Sequence, residues 1–249
     1  MTEQAQPEII STSPPRPFPG LWPSIGWVVL FFALQIIVGV ATFAVAIAID
    51  DSERSVADLS QDLTFLALPT IWGLVFASLI MVGLLWLYLR KDGRVAAIKL
   101  DRWSQISPGK TIGLAVLAIG AGLAFNYAYA TYVVPDIEVQ AMLNQLLKAI
   151  PDTLPNNALL FVAIAVIAPV LEEVLFRGLL QNSLASRMPA WAAILISAAV
   201  FGVAHLDINA FPPLMVMGFA FGYLYHKTGS LRVNITMHMA NNAAAVLLS

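Results

Sequence analysis

The sequence has no cysteine and few charged residues. Among its 249 residues 11% are charged and 59% are hydrophobic, and the mean hydropathy is +0.79. Without cysteine the chain cannot form disulfides, use a cysteine nucleophile or bind a metal through thiolates. A soluble domain of this size needs more charge to cover its surface, so a single membrane domain is predicted. The formal net charge of -2 points to no nucleic-acid partner.

Long uncharged stretches account for most of the hydropathy. A bilayer core about 30 Å thick needs about 20 apolar residues of helix. Residues 24–49, 63–89 and 111–134 meet this requirement without a charged side chain. Four further segments are predicted at 157–171 with its polar continuation, 188–206, 211–225 and 231–249. The predicted fold class is an all-α membrane protein with about seven transmembrane helices, or eight, plus a short interfacial helix at 137–150.

The polar flanks suggest an orientation. Residues 1–23 are polar and rich in proline, which is typical of a disordered tail rather than of a signal peptide. The membrane domain would then cover 24–249. Basic residues concentrate in the loop 90–110 and acidic residues in the loop 50–62, so the positive-inside rule predicts the first inside and the second outside. The N-terminus is therefore predicted to be cytoplasmic in a multi-pass protein, of the plasma membrane if the source is prokaryotic.

Ionisable side chains are absent from the first three predicted spans and concentrate in the later ones, where each costs roughly 2.5–3.5 kcal/mol to insert. Glu173 and Arg177 are four residues apart with the acid first, the favourable order for an ion pair on one helix face. Glu172 lies about 100° away on a regular helix and has no cation four residues on. Glu172 is therefore the candidate general base, unless both glutamates are structural.

Two more polar groups follow in later segments. His238 and Asn242 are four residues apart, share a helix face and could donate hydrogen bonds to one oxygen, as an oxyanion stabiliser must. His205 ends the fifth segment. Taken singly, His205 is typical of an interfacial histidine, and the pair of His238 and Asn242 is typical of polar contacts between helices. Asn241 receives no role, and the glycosylation sequon at Asn234 is interpreted as a chance match.

Taken together, the motifs form an ordered set across successive helices. They are Glu172-Glu173-xxx-Arg177, Phe201-xxx-His205 and His238-xxx-Asn242. This set resembles that of the CAAX-processing and bacteriocin-processing (CPBP, or Abi) family of intramembrane proteases, whose eukaryotic members are similar to glutamate-dependent CAAX prenyl endopeptidases. The resemblance covers roughly residues 155–245, the expected catalytic core.

The resemblance implies hydrolysis of a peptide bond by an activated water molecule. The first glutamate would be the base and the first histidine its partner in activating the water, while the last motif would stabilise the oxyanion. The implied catalytic residues are Glu172, His205, His238 and Asn242, and the implied supporting residues are Glu173 and Arg177.

Metal dependence follows less directly. Glu172, His205 and His238 are a ligand set found in catalytic zinc sites, but the H-E-x-x-H motif is absent. The family mechanism implied by the resemblance is metal-independent. No obligatory cofactor is therefore expected, with zinc on these three residues left open.

The expected partners are membrane lipid and a peptide or protein substrate, prenylated or otherwise membrane-associated, in a water-filled chamber lined by the last four segments. One alternative is a non-catalytic membrane scaffold or immunity protein of the same fold. Another is a transporter with a buried proton site, which would be favoured by inverted repeats. No such repeat is evident in the sequence.

Overall fold

The computed structural model describes residues 18–91, 93–135 and 141–248, and all regular secondary structure in these ranges is helical. This agrees with the predicted all-α membrane class. The helices are α1 (Leu21–Ile49), α2 (Val56–Leu59), α3 (Leu63–Leu89), α4 (Arg94–Ala97), α5 (Pro108–Tyr132), α6 (Ala141–Lys148), α7 (Leu154–Ala185), α8 (Ala190–Val203), α9 (Phe211–Thr228) and α10 (Leu231–Leu248).

Polar capping residues and prolines fix where several helices begin. The Asp62 carboxylate accepts from the amide of Thr64 at 2.9 Å at the start of α3. Thr153 caps α7 in the same way, accepting from the amide of Asn156 at 3.4 Å. Proline occupies the first turn of α5, α7 and α9, where its missing amide hydrogen costs nothing. These signals explain why α3 and α9 begin at the residues predicted from the sequence.

Four described helices, α1, α3, α5 and α7, are long and apolar enough to cross a bilayer. Length and composition therefore do not support the predicted count of seven. Helix α8 is apolar but has only 14 residues, a rise of about 21 Å against a bilayer core of about 30 Å. Helices α9 and α10 have 18 residues each, and the polar side chains that they carry lower their hydropathy.

Two predicted flanking segments fall partly outside the described residues. Residues 1–17 of the tail predicted at 1–23 lie outside the described residues. Because α1 begins at Leu21, the last three residues of the predicted tail are helical. Of the predicted interfacial segment 137–150, the part from 141 to 148 is helix α6. Leu146 and Ile150 pack there with Ala67 and Ile71 of α3.

The helices form two groups joined by α7. Helix α1 packs along α3, while α9 packs between α5 and α8. Helix α7 contacts α1 and α3 on one side and α8 and α10 on the other. The largest core cluster accordingly draws residues from both groups, including Met81 and Leu85 of α3, Leu175 and Phe176 of α7, and Tyr225 of α9.

A polar loop ties the end of α9 and the start of α10 to the rest of the fold. We call residues 94–107 the docked loop. The backbone amide of Gln105 donates to the carbonyl oxygen of Thr228 at 2.8 Å, and the backbone amide of Leu231 donates to the carbonyl oxygen of Lys99 at 3.0 Å. Gly229 adopts a left-handed conformation between them (φ 60°), and a Cβ there would lie 2.5 Å from the Gln105 side chain. The docked loop thus fixes the α9–α10 turn just before the polar residues of α10.

Candidate active site

The predicted ion pair between Glu173 and Arg177 is present and buried. Arg177 Nη1 lies 3.0 Å from Glu173 Oε1, and the two side chains are 1% and 0% exposed. Arg177 Nη2 donates to the carbonyl oxygen of Gly218 at 3.0 Å, and the guanidinium lies over the rings of Phe201 and Phe221. A buried carboxylate is very costly unless a fixed cation compensates it. The geometry therefore fits the supporting role expected of this pair.

The two glutamates lie where α7 changes its hydrogen-bonding pattern. α-Helical bonding is interrupted after Glu172 and resumes at Asn182, and π-helical stretches occupy Glu173–Gln181 and, earlier, Val162–Ile167. Pro169 lies between them and lacks an amide hydrogen, which removes one regular i→i−4 bond. Such π stretches are rare inside α-helices and occur frequently at functional sites. The angle of about 100° expected from a regular helix therefore does not describe how these side chains diverge.

His238 lies between the two carboxylates. Its Nδ1 is 2.9 Å from Glu173 Oε1, and its Nε2 is 3.6 Å from Glu172 Oε2. The Glu172 side chain is 17% exposed, whereas those of Glu173 and His238 are 0% and 6% exposed. The buried glutamate thus fixes one ring nitrogen, and the other faces the more accessible glutamate. Adjacent residues of α7 reach opposite nitrogens of one imidazole, a contact that the sequence did not predict.

Asn234 belongs to the site but to none of the predicted motifs. Its Nδ2 donates to Glu173 Oε2 at 3.2 Å and to the carbonyl oxygen of Phe221 at 2.7 Å, and the side chain is fully buried. The residue lies one helical turn before His238, on the same face. That spacing is the signal in the sequence that identifies it. Burial of the amide also accounts for the residue without any use of the sequon.

Asn242 lies one turn beyond His238, as predicted, and is fixed to α7. Its Nδ2 donates to the carbonyl oxygen of Ile164 at 3.1 Å, within the first π stretch. Asn241, to which no role was assigned, donates to Asn242 Oδ1 at 3.2 Å and so orients the amide. A side-chain amide has two N–H groups. One is used on α7, and the second can serve the predicted oxyanion contact.

His205 lies in the turn after α8 rather than beside Glu172. Its Nδ1 is 2.9 Å from the carbonyl oxygen of Phe201, so this nitrogen carries a hydrogen. The ring of Phe201 contacts that of His205 at 4.9 Å between centroids and that of His238 at 6.4 Å. No hydrogen bond or ion pair joins His205 to Glu172 in the described ranges. The structure therefore brings His205 to the edge of the cluster, and His238 takes the position next to Glu172.

The candidate zinc ligands do not converge on one point. Within the described part of the chain, no three His, Asp or Glu side chains form a group that could bind a metal ion. A catalytic zinc ion takes three protein ligands. The set Glu172, His205 and His238 does not meet that requirement in this arrangement, because the three side chains do not form such a group.

Comparison with known proteins matches the part of the chain that carries this cluster. Residues 154–244 match the family model described as type II CAAX prenyl endopeptidase Rce1-like. The "Putative membrane peptidase YdiL" of Bacillus subtilis (strain 168) is 31% identical over 101 residues, which are 41% of this chain and 41% of that protein. The chain thus spans about two fifths of the length of this relative. No solved structure matches the chain.

The matched region extends from the first residue of α7 into α10 and contains every motif residue named above. Helices α1 and α3 lie outside it. The resemblance predicted from the motifs is confirmed over this region: residues 154–244 are similar to the CAAX protease (CPBP) family.

Proposed function

We propose that this protein is a membrane endopeptidase that hydrolyses peptide bonds with a water molecule activated by Glu172. The observation that carries the proposal is the position of His238 between a buried and a more accessible glutamate, at 2.9 Å and 3.6 Å. A carboxylate bonded to one ring nitrogen fixes the orientation of an imidazole, so that the other nitrogen faces the reacting groups. The similarity of residues 154–244 to the type II CAAX prenyl endopeptidase family supports the same class of reaction.

Glu172 is the general base in this mechanism. Its separation of 3.6 Å from His238 Nε2 is too long for a direct hydrogen bond, and one water oxygen can lie within reach of both atoms. Glu172 takes a proton from that water while the water oxygen attacks the carbonyl carbon of the substrate. The proton then passes to the leaving nitrogen as the C–N bond breaks, giving a new carboxyl terminus and an amine.

Two donors from α10 stabilise the tetrahedral oxyanion. His238 carries a hydrogen on both ring nitrogens in this step: Nδ1–H donates to Glu173, and Nε2–H donates to the oxyanion from one side. The second N–H of the Asn242 amide donates from the other side. A single donor of this kind is worth about 10²–10³ in kcat. His205, at the edge of the cluster, is proposed as a further contact of the attacking water beside Glu172 and His238, and no step is assigned to a metal.

The proposed substrates are membrane-associated or lipidated peptides of the CAAX type. The reacting groups belong to helices of a membrane protein, so the scissile bond must enter a polar chamber lined by α7–α10. A peptide anchored in the bilayer reaches such a chamber without being transferred through water. In the proposed orientation, the basic loop 90–110 and the N-terminus face the cytoplasm.

Replacement of Glu172 by glutamine tests the proposal. The full chain is reconstituted in vesicles with two synthetic peptides, which are identical except for a prenyl group on a cysteine near the C-terminus. We expect the wild type to cleave the prenylated peptide, and Glu172→Gln to be slower by about 10²–10⁴-fold with an unchanged thermal midpoint. New termini are measured by mass spectrometry.

Glu53→Gln is the matched control, because it neutralises an exposed carboxylate in the loop 50–62 and should cleave like the wild type. A comparison of protein termini in cells carrying wild type or Glu172→Gln covers substrates outside the peptide pair. Equal cleavage by both proteins would exclude Glu172 as the base. If cells carrying the wild type show no protein termini that are absent from cells carrying Glu172→Gln, a non-catalytic scaffold is the better explanation of the protein's function.

A further inference from the structure

One end of the helix bundle gathers cations from three segments of the chain. Lys99 and Arg102 lie in the docked loop, Lys227 at the end of α9 and Arg232 at the start of α10. The Ser230 hydroxyl donates to the carbonyl oxygen of Arg102 at 2.8 Å. The Nε of Arg232 donates to the carbonyl oxygen of Leu100 at 2.7 Å. We call these four cations the basic face.

The basic face is held together by backbone hydrogen bonds as well as by these two side-chain donors. The hydrogen bonds between the docked loop and the α9–α10 turn join all three segments. Burial and, secondarily, the nearby Arg102 lower the pKa of Lys99. Asp101 is paired with Arg102 at 3.1 Å and offsets one of the four positive charges. Lys99 is half-buried, with its ammonium 4.9 Å from the ring of the buried Tyr225, so an excess of two exposed cations remains for an anionic ligand.

Exposed aromatic rings accompany these cations. Trp103 is 62% exposed and lies 5.7 Å from the guanidinium of Arg232. Tyr223 is 40% exposed and lies 5.4 Å from Nζ of Lys227. Exposed tryptophan and tyrosine are typical of the membrane–water interface, where the ring contacts acyl chains and the polar edge contacts headgroups. A site for a free phosphate ion would have no use for these rings.

The opposite loop has the reverse charge. Residues 50–62 contain five carboxylates and a single base, Arg54. The two ends of the bundle therefore differ in sign, and the surface potential of an anionic leaflet attracts only the basic one, by about 1 kcal/mol for each Lys or Arg near the surface.

We propose that the basic face binds the headgroups of anionic phospholipids, with Trp103 and Tyr223 inserted at the interface beside them. Binding bridges the docked loop and the α9–α10 turn. Because α10 carries Asn234 and His238, an anionic lipid bound there stabilises the start of the helix that presents them. The proposal does not depend on the protein being a protease.

The test uses the full chain purified in a neutral detergent, with thermal unfolding followed in mixed micelles. We expect phosphatidylglycerol to raise the midpoint relative to phosphatidylcholine by on the order of 5 °C. The triple variant Arg102→Gln, Lys227→Gln, Arg232→Gln should lose most of this difference, and added salt should reduce it in the wild type. Arg54→Gln, at the opposite end, should keep it.

Two further measurements separate charge from structure. Arg232→Lys keeps the cation but loses the Nε donor, so it should keep the lipid effect even if its midpoint in phosphatidylcholine falls. Brominated phosphatidylglycerol should quench wild-type tryptophan fluorescence more than brominated phosphatidylcholine, and Trp103→Phe should lose that excess. An equal shift with inorganic phosphate, with phosphatidylcholine or in the triple variant would overturn the proposal, as would equal quenching by both lipids.

Discussion

The contact between α1 and α3 and the contact between α7 and α10 are held by opposite kinds of interaction. A Cβ on Gly73 would lie 3.0 Å from the Cα of Gly39 and 2.8 Å from the Thr42 hydroxyl oxygen, so these backbones meet through small residues. Close approach of this kind is a common way for helices to pack in a bilayer. The second contact is instead built on the buried carboxylate of Glu173, which is bonded from both helices.

The difference also appears in what the helices expose. The most apolar part of α1 has 11% of its residues buried, against 44% for α7, and Val29, Ile36 and Ile37 are more than 60% exposed. Between α1 and α3 lies a groove of about 730 Å³ lined mainly by apolar side chains. Lipid can solvate such a surface whatever its detailed shape. A buried charge has no such freedom, so the polar region determines the geometry of the fold more strictly.

Removal of the Arg177 cation is expected to give the largest effect. Arg177→Met leaves Glu173 buried without its ion pair, and breaking a buried pair on one side costs roughly 3–5 kcal/mol. Thermal unfolding of the purified variant in detergent measures the loss.

The double variant Glu173→Gln, Arg177→Met removes both charges and should recover part of this stability. Equal losses in the single and the double variant would mean that Arg177 contributes packing on Phe201 and Phe221 rather than charge compensation.

Asn234→Ala tests whether the polar region extends beyond the motif residues. It removes the donor to Glu173 and to the carbonyl oxygen of Phe221, at a cost of about 2 kcal/mol. If Asn234 positions Glu173, kcat should also fall while KM stays unchanged. Thermal unfolding and cleavage kinetics of the prenylated peptide measure the two effects.

Thr236→Ala is the matched control, because it removes the same sequon from an exposed position of α10. A loss of activity as large as that of Asn234→Ala would point to the sequon and contradict the positioning role.

The two regions also differ in how far the sequence predicts them. The ends of α1, α3 and α5 lie within about three residues of the predicted ones, because uncharged runs are bounded by capping and charged residues. The Glu173–Arg177 pair follows from a four-residue spacing. The contacts of Glu173 with Asn234 and His238 join residues 61 and 65 apart in the chain, and they depend on the π stretch of α7. Local spacing places Asn234 and His238 on one face of α10, but it does not show which residue of α7 that face contacts.

In the apolar region, an added methyl group should matter more than a lost charge. Gly73→Ala places a Cβ against Thr42 and Gly39 of α1, which should separate the helices and destabilise the fold by about 1 kcal/mol. Cleavage should stay normal, since the atoms nearest to that Cβ belong to α1 and not to the matched family region. Thermal unfolding and the peptide assay measure both quantities.

Gly83→Ala, in the same helix, is the control. A Cβ at Gly83 meets no atom within 4 Å, so the higher helix propensity of alanine should leave stability unchanged or slightly raised. If both variants lose the same stability, the close approach of α1 and α3 is not what holds them together.

The smallest effect is expected from Asp62, which caps α3 outside the polar region. A hydrogen bond from Arg54, at 2.7 Å, is the main cause that lowers the pKa of Asp62 below its ordinary value of 3.8. The unfolded chain therefore binds this proton more tightly than the folded one. The contribution of Asp62 to stability is complete above about pH 4 and is lost as the pH falls through the lowered pKa. Asp62→Asn should reduce the acid dependence of the unfolding midpoint in that window.

Glu53→Gln supplies the comparison, because it removes an exposed carboxylate from the same loop and so changes the net charge equally. The two variants should differ below pH 4 and converge in their dependence on pH above it, since Asp62 is ionised in both the folded and the unfolded chain there. If they follow the same curve, the cap and its arginine contribute only through net charge. The start of α3 would then depend on its apolar packing alone, as the rest of that region does.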